Sequence, residues 1–227
     1  MNCVIHKKAL LTLDDSPSRT MKKRIDYLLE QKIPAVFFCR GDFLEKRQEQ
    51  VIYAIKKGFI IGNHGFSHTR FSEFNLDEVK NEIEKTDNLL ENVYKKAGVE
   101  RQFKLFRFPY GDRGNGVVVD VNSKELIRAM SGNKVNAIQE ILFGLGYEKD
   151  LFWTVETLEW VLFKNYNKYN LKNESDVIKR IENFLENSNS DEIILIHDHD
   201  ENLTFFPRII EAYLRLGVDF KSFNKFF

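Results

Sequence analysis

Residues 9–15 are Ala-Leu-Leu-Thr-Leu-Asp-Asp, an apolar run that ends in two adjacent carboxylates, Asp14 and Asp15. A run of this length with a single polar residue is typical of a strand buried on both faces, as in a parallel sheet covered by helices. Further along the chain, short β-branched and aromatic runs alternate with charge-rich amphipathic stretches of helical length. This alternation predicts an α/β fold in which parallel strands are joined by crossover helices.

The alternation divides the chain into seven predicted strands and six predicted helices. The strands are expected at residues 9–13, 35–39, 59–62, 105–108, 152–155, 193–197 and 220–223. The helices are expected at residues 19–31, 45–57, 76–97, 136–145, 174–187 and 205–216, with C-cap glycines at Gly58, Gly98, Gly146 and Gly217. We therefore predict one domain over residues 1–227, a distorted (β/α)7-type barrel of parallel strands with outer helices.

One segment departs from this pattern. Residues 112–134 follow Gly111, contain Gly114 and Gly116, and are too long for a minimal connection between a strand and a helix. We predict an inserted loop or small hairpin that lies over one end of the barrel.

The composition argues against several classes of function. Lys plus Arg and Asp plus Glu each number 34, so no net charge is available to hold nucleic acid or an anionic membrane. Cys3 and Cys39 do not have the spacing of a disulfide framework or a thiolate metal site, and we expect them to be packing thiols. No secretory signal pattern precedes the first strand, and the longest apolar runs are of strand length. A cytoplasmic protein without a transmembrane segment is expected.

Polar side chains of catalytic type follow or end five of the predicted strands. In a parallel barrel the carboxyl ends of all strands lie on one face, and active sites are built on that face. We therefore expect the five segments to converge. Their polar residues are Asp14, Asp15, His64, His68, Arg107, Tyr110, Glu156, Glu159, Trp160, His197 and Asp198.

Asp15, His64 and His68 form a candidate metal site. Adjacent carboxylates repel each other, and a cation relieves that repulsion. Histidines four residues apart can face one ion, and imidazole with carboxylate suits zinc or a similar divalent ion, with one coordination position left open for water. Each piece alone has a simpler explanation: the acidic pair as a helix N-cap before Ser16, and the histidine pair as a chance pair on a surface helix.

Arg107 and His197 are candidates for the catalytic chemistry. Arg107 stands in a strand otherwise built of aromatic residues, where a guanidinium needs a carboxylate partner, and Asp14 is the natural one unless Arg107 points outward. His197 ends an uninterrupted apolar strand and is either a hydrogen-bonded core histidine or an acid–base group. We interpret His199 and His6 as surface residues.

Taken together, these segments resemble the five motifs of the polysaccharide deacetylases, the family also described as NodB homology domains or carbohydrate esterase family 4. The likeness runs from Thr12 to His197, and the motifs occur in the family's order. The matching residues are Thr12-Leu13-Asp14-Asp15 for the first motif, His64 and His68 for the second, Arg107-Phe108-Pro109-Tyr110 for the third, and Leu195-Ile196-His197 for the fifth.

The fourth motif departs from the family pattern. The family has Asp-x-x-Asp-Trp, whereas this chain has Glu156-Thr-Leu-Glu159-Trp160, and its first motif has Leu13 for Phe and Ser16 for Gly. Each Glu keeps the charge but adds a methylene, which can displace a hydrogen bond by about an ångström. The departure bears on the tuning of the general acid.

The resemblance implies a metal-dependent deacetylation. Asp15, His64 and His68 would hold the metal ion, which polarises the acyl carbonyl and lowers the pKa of a bound water. Asp14, oriented by Arg107, would take a proton from that water as the general base.

The resemblance also implies a general acid, an oxyanion-stabilising group and a sugar-binding surface. His197, supported by Glu156 or Glu159, would protonate the departing amine. The backbone N–H of Tyr110 would help to stabilise the oxyanion, and Trp160 would stack on a sugar face. The residues expected to line the substrate are Tyr110, Pro109 and Trp160.

The expected cofactor is one divalent metal ion, with zinc first and cobalt or nickel as alternatives. The expected substrate is an N-acetylated sugar, oligosaccharide or lipid-linked sugar, and residues 112–134 are expected to shape its pocket. No nucleic-acid partner is expected, and the sequence carries no signal for an oligomeric state.

Three other interpretations were weighed against this one. Haloacid-dehalogenase-type phosphatases begin with Asp-x-Asp, whereas Asp14 and Asp15 are adjacent, and such enzymes have no use for the histidine pair. A degenerate barrel that binds a glycan without turnover is less favoured, because every proposed catalytic residue type is present. A hydrolase of a small non-sugar N-acyl or cyclic amide on the same fold stays open.

Overall fold

The computed structural model describes residues 7–117, 132–148, 150–164, 169–188 and 190–227. Within these ranges the strands pair in parallel, and helices connect them, so the predicted α/β class is confirmed. The strands of the described residues are β1 Lys7–Ser16, β2 Ala35–Cys39, β3 Ile60–Asn63, β4 Val155–Glu156, β5 Glu192–His197 and β6 Val218–Phe220.

The helices agree closely with the sequence pattern. Two of them, at Leu76–Ala97 and Glu174–Asn187, have the predicted bounds. The α-helices of the described residues are α1 Met21–Glu30, α2 Gly41–Leu44, α3 Gln48–Lys56, α4 Leu76–Ala97, α5 Asn133–Gly144, α6 Glu174–Asn187, α7 Phe206–Arg215 and α8 Phe223–Phe226. Short 3₁₀ turns lie at Phe71–Glu73, Pro109–Gly111, Glu159–Leu162 and Asp200–Asn202.

The chain forms two compact units. The first comprises Met1–Asp14, Ser18–Val36 and Trp153–Phe227, and the second comprises Asp15–Pro17 and Phe37–Phe152. Both are made of separate stretches of chain, and the single domain expected over residues 1–227 stays a prediction.

In the first unit, β1 pairs in parallel with both β5 and β6, and β4 pairs with β5. The one polar side chain inside the apolar run of β1 is satisfied, because the Thr12 hydroxyl donates to the Ile194 carbonyl at 2.7 Å. The register of β1 and β5 places Asp14 opposite His197. Two polar residues singled out in the sequence are therefore neighbours at the carboxyl ends of adjacent strands.

In the second unit, the chain beyond β3 continues the parallel pairing through isolated bridges. Asn63 bridges to Phe106, and Phe106 bridges to Asp150. The strand predicted at residues 105–108 is therefore reduced to the one residue Phe106, which bridges to both neighbours. Pro109 has no N–H, so pairing cannot continue past Phe108, which has the dihedrals of a residue that precedes proline, φ −70° and ψ 131°.

An aromatic core supports this unit. The rings of Phe71, Phe106, Phe108 and Tyr147 meet edge to face, with centroid separations between 4.8 and 5.8 Å. Such contacts add to the roughly 1.5–3 kcal/mol that burial of each large apolar side chain contributes. The core fixes the position of the segment around Phe108, which carries the third predicted motif.

Helix α4 has well-defined ends. Its N-cap Asn75 accepts a hydrogen bond from the Glu78 N–H at 3.0 Å, and the Glu78 carboxylate accepts one from the Asn75 N–H at 2.8 Å. These two bonds form a capping box. At the other end Gly98 takes the left-handed conformation, φ 70°, as predicted for a C-cap glycine.

Three predictions concern residues that lie wholly or mostly outside the described ranges. Most of the segment at 112–134, predicted to be an inserted loop, lies among undescribed residues, as do Cys3 and His6.

Cys39 is buried, as expected of a packing thiol. Among the described residues, no helix is both long and apolar enough to cross a membrane.

Candidate active site

Asp15, His64 and His68 converge in the second unit. The ligand atoms that these side chains can offer all lie within 4.8 Å of one another. Asp15 Oδ1 is 2.9 Å from His68 Nε2 and 3.9 Å from His64 Nε2. Tetrahedral zinc with bonds near 2.0–2.2 Å would place its ligand atoms roughly 3.3–3.5 Å apart, so the spacing fits one ion after small adjustments.

The orientation of the His64 ring also fits a metal ligand. Its Nδ1 lies 2.7 Å from the Arg107 carbonyl oxygen. Because a carbonyl only accepts, Nδ1 carries the proton, and the lone pair of Nε2 faces Asp15. Metal-ligating histidines typically donate their other ring N–H in this way. The donor set and the tautomer of His64 therefore both fit a divalent ion.

Three residues of this cluster have left-handed backbone conformations although none is glycine. Asp15 and His68 have φ 60°, and Tyr110 has φ 57°. Non-glycine residues in this region are uncommon, and they persist where the surrounding structure fixes them, frequently at functional sites. The sequence gives no sign of these conformations.

Arg107 is buried, with 1% of its surface exposed. Its Nε donates to the Leu151 carbonyl at 2.8 Å, and its guanidinium lies 4.3 Å from the centre of the Phe38 ring. An outward-pointing Arg107 is therefore excluded. The pairing of Arg107 with Asp14 stays a prediction.

Tyr110 presents an aromatic surface beside the histidines. Its side chain is 46% exposed, and its ring centre is 4.6 Å from that of His68. The Arg70 guanidinium covers the Tyr110 ring at 4.9 Å. Pro109, in contrast, is buried at the start of the 3₁₀ turn that contains Tyr110.

In the first unit, His197 is bound by a buried carboxylate. Glu159, which is 0% exposed, accepts the His197 N–H at 2.6 Å and lies 3.0 Å from His197 Nδ1. The Asn202 amide donates to the His197 carbonyl at 2.8 Å. Glu159 thus fixes the ring of His197 and leaves Nε2 as the nitrogen that can exchange a proton.

Glu156 has a different environment. Its Oε1 accepts the Trp160 Nε1–H at 2.8 Å, and its carbonyl accepts a hydrogen bond from Arg180. Burial raises the pKa of Glu156, and the nearby His197 and the Trp160 hydrogen bond offset only part of that effect. The structure therefore separates two glutamates that the sequence left equivalent: Glu159 contacts His197, and Glu156 holds Trp160.

Trp160 is half-buried, and its ring stands edge-on to His197 with centroids 6.3 Å apart. Asp14 is buried, and its carbonyl accepts the Asp198 N–H at 2.8 Å. Both contacts belong to the first unit. Asp14 and Asp15 are consecutive residues, and the boundary between the two units falls between them.

Several residues of the first unit were not singled out by the sequence. Asp198, expected only to be a polar residue at a strand end, forms a fully buried ion pair with Arg24 at 3.0 Å and accepts from the Ser18 hydroxyl at 2.7 Å. His199, interpreted as a surface residue, is half-buried and stacks on His197 with centroids 5.2 Å apart. Arg24 could have been suspected, because an arginine at a predicted buried helix position needs a carboxylate.

Two acidic residues of the second unit were also missed. Glu82 on α4 accepts hydrogen bonds from the loop between His64 and His68. Asp112 accepts from the Ser72 hydroxyl and N–H and from two glycine N–H groups; although burial acts to raise the pKa of Asp112, these bonds outweigh it and lower that pKa. Glu82 carries no sequence signal, because its partners lie 15 and 16 residues away in the chain. Asp112 could have been suspected from its position before Gly114 and Gly116, whose N–H groups it accepts, but its bonds to Ser72 could not.

The fold and the two clusters define an α/β protein with a three-ligand candidate metal centre and a carboxylate–histidine pair. The sequence model of the polysaccharide deacetylase family matches residues 2–130. The chain belongs to the polysaccharide deacetylase family, which confirms the resemblance drawn from its motifs.

A curated relative is the peptidoglycan-N-acetylglucosamine deacetylase of Bacillus cereus. It is 24% identical over 221 residues, which are 96% of this chain and 70% of the relative. The relatives therefore support carbohydrate deacetylation as the general activity of the group.

Solved structures of low sequence identity share the fold. A family 4 carbohydrate esterase from Streptomyces lividans, in complex with acetate, superposes with a TM-score of 0.66 at 20% identity, covering 93% of this chain and 90% of its own. A family 4 pseudoenzyme from Bacillus anthracis superposes with a TM-score of 0.69 at 15% identity, covering 98% of this chain and 66% of its own. The fold alone therefore does not separate enzymes from inactive relatives.

Proposed function

We propose that this protein is a metal-dependent hydrolase that cleaves an N-acyl amide, most of all an N-acetyl amide, on a carbohydrate or sugar conjugate. The products are acetate and a free amine. The observation that carries the proposal is the convergence of Asp15, His64 and His68 within 4.8 Å. Membership of the polysaccharide deacetylase family and the name of the Bacillus cereus relative support the reaction type.

The metal proposed is zinc, because two imidazoles and one carboxylate are ligands that zinc prefers. Cobalt and nickel accept the same donors. When bound, such an ion supplies a Lewis acid for the acyl carbonyl and makes water more acidic.

Asp14 is assigned the role of general base. It is a buried carboxylate that directly precedes the proposed ligand Asp15, and it takes one proton from the water that attacks the acyl carbon. The Tyr110 N–H donates to the oxygen on which negative charge develops. Arg107 orients Asp14 in this assignment.

His197 is assigned the role of general acid. Its Nδ1–H is held by Glu159, so a proton on Nε2 is the one transferred to the departing amine nitrogen as the carbon–nitrogen bond breaks. Trp160 and Tyr110 offer ring surfaces for a sugar, and Pro109 begins the 3₁₀ turn that contains Tyr110.

The substrate proposed is an N-acetylated sugar, an oligosaccharide or a lipid-linked sugar. The Bacillus cereus relative acts, by its name, on N-acetylglucosamine of peptidoglycan. A cytoplasmic location is part of the proposal, and it favours a precursor or lipid-linked sugar over an extracellular polymer. The segment at 112–134 is proposed to shape the substrate pocket.

The test is an acetate-release assay across N-acetylated mono- and oligosaccharides, with and without a chelator. We expect activity that is lost on chelation and restored by zinc. The Asp14→Asn variant should lose about 10²–10⁴-fold in kcat and still bind zinc, because it removes a proton acceptor and not a ligand. Activity that survives complete metal removal, or that is equal in Asp14→Asn, would reject the mechanism.

One alternative has a specific observation in its favour, namely the shared fold of the Bacillus anthracis pseudoenzyme. A glycan-binding protein without turnover would bind the oligosaccharides in the same assay and release no acetate. A hydrolase of small non-sugar amides would instead release acid from such amides and leave the sugars intact.

A further inference from the structure

We propose that Glu82 is a positioning residue for the metal centre, which fixes the loop that carries His64 and His68. The inference rests on the proposed function, because it concerns the ligands of the proposed metal. Glu82 lies in the second turn of α4 and is buried. It is outside every motif that the sequence suggested.

The carboxylate of Glu82 accepts hydrogen bonds from N–H groups of the loop between His64 and His68. Its Oε2 accepts the Phe66 N–H at 2.9 Å and the Ser67 N–H at 2.8 Å. The Ser67 hydroxyl donates to the same oxygen at 3.0 Å. Both residues between Gly65 and His68 are therefore held by one charged acceptor, and charge-assisted hydrogen bonds are the stronger kind.

Two carbonyl groups of the same loop accept hydrogen bonds from N–H groups at the start of α2. The Gly41 N–H donates to the Gly65 carbonyl at 2.9 Å, and the Asp42 N–H donates to the Phe66 carbonyl at 3.0 Å. The fit is close, because a Cβ at Gly41 would lie 2.3 Å from the Phe66 ring. The loop is thus held from two sides, and Glu82 is the acceptor for the N–H groups of both Phe66 and Ser67.

This restraint matters because of the conformation of His68. The residue has φ 60°, a region that non-glycine residues occupy only where their surroundings impose it. Its ring must also be placed within about 0.5 Å to serve as a ligand. Loss of the Glu82 bonds would let residues 66 and 67 relax and would move His68 Nε2 away from Asp15.

The experiment compares Glu82→Ala and Glu82→Gln with Glu84→Ala as the matched control. Glu84 is on the same helix and, within the part of the chain that the structure describes, forms an exposed i,i+4 pair with Lys80 at 3.7 Å. Zinc affinity is measured by competition with a chromophoric chelator, and cobalt absorption spectra report the geometry of the centre. Hydrogen exchange of the Phe66 and Ser67 amides in metal-free protein reports the restraint directly.

We expect Glu82→Ala to weaken zinc binding about 10–100-fold, as is typical when a partner outside the ligand set is lost. Glu82→Gln should fall between wild type and Glu82→Ala, because its amide oxygen still accepts but carries no charge. The amides of residues 66 and 67 should exchange faster in Glu82→Ala, and Glu84→Ala should match wild type in every readout.

Zinc affinity within twofold of wild type in folded Glu82→Ala would overturn the inference. If Glu82→Ala does not fold, the same threshold applies to Glu82→Gln, together with unchanged exchange at Phe66 and Ser67. The result is separable from the proposed function: wild type that binds zinc but releases no acetate contradicts the hydrolase, while unchanged zinc affinity in an active Glu82 variant contradicts only the role of Glu82.

Discussion

At the scale of single residues, the two glutamates of the fourth motif have different partners. Glu159 is buried and bonds to both the N–H and the ring of His197, whereas Glu156 bonds to Trp160. Glu159→Gln should therefore lower kcat by about 10²-fold or more with little change in KM, because it removes the charge that favours protonated His197.

Glu156→Gln is the matched comparison, since its amide oxygen can still accept the Trp160 Nε1–H. We expect its kcat to stay near the wild-type value. Steady-state kinetics of the two variants on one N-acetylated oligosaccharide decide the matter, and equal losses of kcat would show that the contact of Glu159 with His197 has no special role.

The contribution of Glu156 should appear in the free energy of unfolding and its pH dependence instead. Burial raises its pKa in the folded state, so folding favours the protonated carboxyl. Its contribution is favourable below the ordinary carboxyl pKa and is lost as the pH rises through the folded value. Urea unfolding at pH 4 and pH 7 should show Glu156→Gln gaining stability relative to wild type as the pH rises; a difference that does not change with pH would contradict the shift.

Sequence reasoning found the proposed ligands but not what holds them. Asp15, His64 and His68 were identified because residue type and order carry chemical meaning. Glu82 was missed because two of its three bonds are to backbone N–H groups, which nearly every residue has. The sequence could not show which of Glu156 and Glu159 contacts His197. Leu158, directly before Glu159, has a left-handed backbone with φ 60°, and no residue pattern predicts that conformation.

At the scale of elements, the capping box of α4 supports the helix that carries Glu82. Asn75→Ala removes one bond of the box and should cost about 0.5–2 kcal/mol of unfolding free energy. Asn81→Ala, at an exposed position inside the same helix, should change stability by no more than about 0.7 kcal/mol, and in the stabilising direction. Urea denaturation measures both, and equal effects would contradict the capping role.

The elements themselves were predicted well where periodicity and caps agreed. The bounds of α4 follow from Asn75 and Gly98, and β2 has its predicted bounds at Ala35–Cys39. The prediction was weakest at residues 105–108, where only Phe106 is bridged, because apolar composition indicates burial and not the number of ladder hydrogen bonds. Pro109, which is visible in the sequence, marks where the pairing must end.

At the scale of the whole molecule, metal binding should stabilise the fold. An ion that binds only the folded state at 100 times its Kd adds about 2.7 kcal/mol. Zinc should therefore raise the Tm of the wild-type protein and leave that of His68→Gln nearly unchanged. Calorimetry with and without zinc measures the shift; identical shifts in both proteins would place the bound ion elsewhere.

The charge balance of the chain also bears on how the whole molecule attracts its ligands. With 34 basic and 34 acidic residues, the protein has no net field that would draw an ion or a charged substrate from a distance. Recognition must therefore come from local groups, such as the ligand side chains of the candidate centre.

Arg107 has two separable roles. Its carbonyl selects the tautomer of the His64 imidazole, while its guanidinium donates to the Leu151 carbonyl. Conventional mutagenesis tests only the role of the side chain, since every replacement keeps the same carbonyl. Semisynthesis with an ester linkage after residue 107 would weaken that acceptor, at the cost of the Phe108 N–H, and so would expose a contribution that no library of amino-acid variants can detect.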